Sequence, residues 1–216
     1  MSLIAMAFAA VTLGQTSVAD IARGEQARLN ACISLAETDA ETAYEDSLRW
    51  LGEGARPAAR YCQAMALIGL GNYREAAAGL EELANAENSG SLQDRAIYLA
   101  QSGNAWLAAG YLDAAVVTLT NALKLAPEDA GIRADRAAAY LGLEQWEEAL
   151  ADLDMALTKS PNSIDALQMR ARAHLNLDQL DKAELDVNKA LLLDRKNLDT
   201  LVLRGDVREA KRLAGK

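Results

Sequence analysis

The side chains in this sequence that could do chemistry are a pair of cysteines, one histidine and a periodic set of arginines and aspartates. Cys32 and Cys62 are the only cysteines. In an oxidising compartment they could close a disulfide, constraining the unfolded chain by about 3–4 kcal/mol in a loop-entropy treatment. The other reading is two small thiols buried in helix contacts. With no histidine beside them they make no zinc site. Acid–base catalysis needs a positioned donor and acceptor, and His174, the single histidine, falls in an apolar column and reads as a core residue. No GxSxG elbow, HExxH pair or phosphate-binding glycine loop is present. The expectation is a protein that is not an enzyme and needs no cofactor or metal.

Arg136, Arg170 and Arg204 stand 34 residues apart, and Asp152 and Asp186 keep the same interval. Opposite charges recurring in this way read as a ladder of exposed ion pairs, each worth about 0–1 kcal/mol, that marks register and binds nothing. The same interval governs small residues at Gly103, Ala137, Ala171 and Gly205, then Ala115, Ala149 and Ala183. Further columns hold Leu119, Leu153 and Val187; Ala122, Ala156 and Ala190; Leu123, Leu157 and Leu191; and Pro127 and Pro161. Small residues allow two helices to cross closely, while Trp106, Tyr140 and Leu119 fill the space beside the crossing. Each unit carries two apolar stripes of helical period, broken at Ala109-Gly110-Tyr111, Leu143-Glu144-Gln145 and Leu177-Asp178-Gln179. The unit is helix, turn, helix, and a period of this length marks a solenoid.

The order of small, aromatic, corner, Ala, large apolar, Ala and closing Pro resembles the tetratricopeptide repeat (TPR) family, and the chain reads as a bacterial member. That resemblance implies an all-α fold, a right-handed α-solenoid of TPR hairpins with a C-terminal capping helix. Four repeats are assigned to 57–84, 96–129, 130–163 and 164–197, preceded by a degenerate helix pair over 22–56 and followed by a cap over 198–216. Five extra residues between Ala64 and Gly103 are expected to lengthen the Asn85 to Gln93 loop. Two departures fall in the last repeat: His174 replaces an aromatic and Arg195 the closing Pro. The cap is expected to cover Val187, Leu191 and Leu192.

Aromatics are 5% and hydrophobics 51% of the chain, so its apolar content lies in Ala and Leu, which suits tightly packed helices. A net charge of −9 argues against a phosphate-tracking surface, so nucleic acid is not an expected partner. Leu3 to Leu13 is apolar and uncharged, and Ser17-Val18-Ala19 resembles a signal-peptidase site. Residues 1–19 therefore read as a signal peptide, directing the chain to the periplasm or outside the cell. The stretch is too short to span a bilayer, so no membrane insertion of the mature chain is expected. The first basic residue is only Arg23, and the alternative is an apolar first helix of a cytoplasmic protein.

A stack of hairpins offers a concave groove lined by the first helix of each unit, where a peptide or partner helix can lie. Projecting the repeat places Tyr61, Met65, Gln101, Asn104, Leu107, Asp135, Leu141, Gln168, Met169, Arg172 and Asn176 along it. Family members that clamp a chaperone's C-terminal carboxylate use cations on the first helices. Here Ala100, Gly131, Asp135, Asp165 and Met169 stand at those places, with only Asn104 matching, so that clamp is absent. The sequence reads as a non-enzymatic scaffold or adaptor of the bacterial envelope that binds a protein or peptide, as a monomer or weak dimer. The alternatives are a self-assembling structural subunit of an envelope complex and a cytosolic adaptor.

Overall fold

The computed structural model describes residues 18–215; the expected leader falls largely on residues 1–17, outside them. Eleven helices and no strand occur among the described residues. They are α1 (Val18–Thr38), α2 (Ala40–Gly52), α3 (Pro57–Gly69), α4 (Tyr73–Asn85), α5 (Leu92–Ala108), α6 (Leu112–Leu125), α7 (Ala130–Gly142), α8 (Trp146–Lys159), α9 (Ile164–Asn176), α10 (Leu180–Leu193) and α11 (Leu198–Ala214). Consecutive helices pair as hairpins, and each even helix also packs on the next odd one. The odd helices α5, α7, α9 and α11 lie side by side, as do α1 and α3. The chain is an α-solenoid in two layers.

Alanine makes this packing possible. Ala76, Ala105, Ala115, Ala122, Ala137, Ala149, Ala171 and Ala183 are all buried, bringing helix axes close, while Leu80, Leu119, Leu153, Leu167 and Val187 fill the remaining space. Every hairpin from α3 to α10 turns by one device: the N–H of Asn72, Tyr111, Gln145 and Gln179 bonds the carbonyl five residues back, at 2.9, 2.9, 2.9 and 2.8 Å. Such a corner needs a left-handed residue just before it. Gly71 and Gly110 supply it in the earlier hairpins, but Glu144 (φ 59°) and Asp178 (φ 56°) adopt it in the later ones.

Starts are equally regular. Asp129, Ser163 and Asn197, again 34 apart, cap α7, α9 and α11 with their side chains. Ser91 and Asp94 form a reciprocal capping box at α5. The expected lengthening of the loop before α5 is present but small. Its connection, residues 86–91, is only two residues longer than the four-residue 126–129, and most of the insertion extends α5 to 17 residues against 13 in α7. The capping box explains why the added residues are helical: it satisfies orphan N–H groups one turn upstream of where the repeat pattern begins.

Candidate functional site

The row of odd helices carries the projected groove residues, and the structure ties several of them to one another. Asn104 of α5 donates from Nδ2 to Asp135 of α7 at 2.9 Å. Gln168 of α9 donates from Nε2 to Asn197 (2.7 Å) and Thr200 (2.6 Å), binding α9 to α11. Asn176 donates to the Arg172 carbonyl one turn earlier. Burial pushes the Asp135 carboxyl above the usual aspartate value, and the Asn104 hydrogen bond only partly opposes it.

Apolar members of the row are half-buried. Met65 packs beside Ala36, Ala43 and Ala66; Leu107 flanks the cluster around Leu119; and Leu141 and Met169 flank that around Leu153. Tyr61 of α3 stacks tilted on Tyr98 of α5, centroids 5.2 Å apart, and burial raises both phenol pKa values. Gln101 is half-buried on α5 and Arg172 exposed on α9. Val202 (65% exposed) with Asp165 and Asp199 continues the row toward the C-terminal end.

Away from this row the charge ladder differs from expectation. Arg136 grips Asp152 with two 2.7 Å bonds, and Arg170 grips Asp186 at 2.7 and 2.8 Å while also reaching Asp154. Asp152 and Asp186 are buried, so these are not the exposed pairs expected. Each joins the two helices of one hairpin. The sequence carries the signal for this: Asp152 and Asp186 stand three residues after one buried alanine and four before the next, in the apolar stripe itself, whereas Asp154, on the other side of Leu153, is exposed. Arg204, third in the series, has no ion-pair partner among the described residues.

His174 is buried, its Nδ1 lying 3.0 Å from Oε1 of the Gln179 side-chain amide, which also accepts from Lys182, an arrangement that places the histidine proton on Nδ1. Burial lowers its pKa below the ordinary histidine value despite nearby Asp186. It is positioned as a core residue that closes a corner. Cys32 of α1 and Cys62 of α3 are joined by a disulfide (Cα–Cα 5.8 Å), beside a cavity of about 280 Å³ between α1 and α2. There Trp50 is buried under the Arg28 guanidinium, 4.4 Å from its ring. No group of metal-ligating side chains occurs among the described residues. No described helix is long and apolar enough to cross a membrane.

Two-layered hairpins, a common corner and a row of first helices define a solenoid with the TPR fold. No protein-family model matches the sequence, and no curated protein matches it. Solved structures do. A MamA fragment from Desulfovibrio magneticus RS-1 superposes with a TM-score of 0.67 at 22% identity, over 84% of this chain and 99% of its own. A thermophilic TPR protein from Thermus thermophilus gives 0.61 at 24% identity, over 86% and 99%. The second TPR domain of human RPAP3, solved in complex with the HSP70 peptide SGPTIEEVD, gives 0.53 at 25% identity, over 55% and 98%.

Proposed function

We propose that this chain is a non-enzymatic scaffold that holds a segment of another protein along its row of odd helices, in a bacterial envelope compartment. The observation that carries the reading is that row: α5, α7, α9 and α11 side by side, presenting half-exposed polar and apolar groups at equivalent positions of successive repeats. Regular spacing of such groups suits an extended peptide or a helix. The RPAP3 domain, solved in complex with a peptide, supports a peptide-holding role for the fold.

The chemistry of the segment differs from that peptide. SGPTIEEVD is acidic, whereas the row here carries Asp135, Asp165, Asp199 and Asp206 toward its C-terminal half. Like charges in a groove cost affinity, so the segment held here carries Lys or Arg opposite these carboxylates. A disulfide between Cys32 and Cys62 supports an oxidising compartment, as does the signal-like leader.

The test is partner recovery from the native envelope with the unaltered chain and with a variant carrying Asp165→Lys and Asp199→Lys. Both aspartates are exposed, so the fold should be untouched. Partners held by the row are lost from the variant. Equal recovery of every partner would exclude the row as the interface.

A further inference from the structure

We infer that the arginine-bearing face of α11, uncovered among the described residues, is a second docking surface, a seat for an acidic amphipathic helix of a partner protein. Such a helix would lie on α11 as α8 lies on α7 and α10 on α9. The repeat itself supplies the template. Arg136 of α7 holds Asp152 of α8, and Arg170 of α9 holds Asp186 of α10, each sixteen residues on. Arg204 occupies the same place on α11 and has no ion-pair partner among the described residues.

Two further observations on α11 agree. In the small-residue column Gly103 is buried by its hairpin partner, where a Cβ would run into the Leu119 side chain. At Gly205 a Cβ would meet nothing within 4 Å. Among the described residues, the place that a second helix fills in the preceding units is open here. Beside it lies a cavity of about 440 Å³ lined by Asn188, Leu191, Leu192, Arg195 and Arg204. Leu192 is 76% exposed at its edge.

Charge selects the occupant. Arg195, Arg204 and Arg208 have no ion-pair partners among the described residues, and they cluster at one end of a chain whose net charge is −9. On α11 the helical period puts Arg204 and Arg208 on one face and Asp199 and Asp206 on another, so an acidic helix is drawn to the arginine face and a basic one repelled from it. Its apolar stripe is read from α8 and α10, which share Ala, Asp, Leu or Val, Ala and Leu: Ala149, Asp152, Leu153, Ala156 and Leu157 in one, Ala183, Asp186, Val187, Ala190 and Leu191 in the other. The partner helix presents an acid followed at once by a large apolar residue, with alanines three residues before and four after that acid.

A labelled synthetic peptide with the sequence of residues 179–194, which contains α10 and is itself acidic, is the probe. Titrated with the folded 216-residue chain, it should bind saturably. Arg204→Asp should weaken binding at least about tenfold, the usual penalty for one side of a close charge pair. A peptide carrying Asp186→Arg should recover affinity for that variant. Gly205→Leu, whose side chain enters open space, should keep the helical circular dichroism of the parent and block the peptide. A peptide held equally by all three chains, or by none of them, overturns the seat.

Discussion

The two halves of this solenoid solve one packing problem with different chemistry. Where the later hairpins pair half-buried Arg136 with buried Asp152 and half-buried Arg170 with buried Asp186, the α5–α6 hairpin buries Ser102 and Thr118 at the same two places. Those hydroxyls bond back to α4, Ser102 to the Ala77 carbonyl at 2.9 Å and Thr118 to Glu81, which also accepts from Trp106 at 3.0 Å. Further toward the N-terminus the column fades, and α1 is bonded to α3 through sulfur. Each charged pair therefore locks a hairpin internally, and its arginine also reaches the preceding hairpin, Arg136 at Thr120 and Arg170 at Asp154, whereas the neutral pair bonds only to its predecessor. Regular repetition of shape does not require repetition of polar chemistry, provided every buried polar atom finds a partner.

The sharpest way to break this contrast is to remove one acid. Asp152→Ala leaves Arg136 half-buried and faced by Arg133, whose Nη1 is 3.5 Å from the lost carboxylate. Breaking a buried pair from one side costs about 3–5 kcal/mol. Ser102→Ala in the neutral column removes one hydrogen bond, worth about 0.5–1.5 kcal/mol. Urea midpoints of the two variants should differ accordingly. Equal losses would mean that the ion pair stabilises no more than the hydroxyl.

The N-terminal crosslink gives the next effect. Replacing Cys32 and Cys62 by Ser frees a loop of 30 residues, and the chain-entropy treatment puts the cost at about 3–4 kcal/mol. In a linear array this loss stays local, since each unit contacts only its neighbours. Hydrogen exchange in α1–α3 should accelerate while α7–α10 keep their protection. Uniform acceleration along the chain would show that the stack unfolds as one body.

What could be read beforehand followed the 34-residue period. Columns of Ala, Leu and Gly recur because two crossing helices impose the same steric demand in each hairpin, and those columns lead directly to an all-α solenoid. The caps at Asp129, Ser163 and Asn197 keep the same interval and could have been read from it, being good N-cap residues three positions before a buried one. Other features left no local mark. Glu144 and Asp178 sit in a conformation that ordinarily signals glycine, so the corners look less alike in sequence than in space. The extra turn of α5 depends on a reciprocal cap, not on the apolar stripe. Along the candidate groove, projection shows which residues share a face but not that Asn104 is engaged by Asp135, or Gln168 by α11. At the cap, Val187 and Leu191 pack with α11, but Leu192 remains exposed.

The smallest expected effect separates the middle of the stack from its end. Gly103 and Gly205 occupy one column, yet an added methyl runs into Leu119 in the first case and meets open space in the second. Leu119 is wholly buried and has no room to retreat, so Gly103→Ala should cost about 1–3 kcal/mol through overpacking. Ala137 and Ala171 stand in the same column before Leu153 and Val187, which makes the α5–α6 crossing the close one. Gly205→Ala gains helix propensity with no clash, and should stabilise by about 0.5–1 kcal/mol. Opposite signs in thermal unfolding would separate a packed crossing from an open one. Destabilisation by Gly205→Ala would mean that another chain already covers α11 in solution, and the effect would then vanish on dilution.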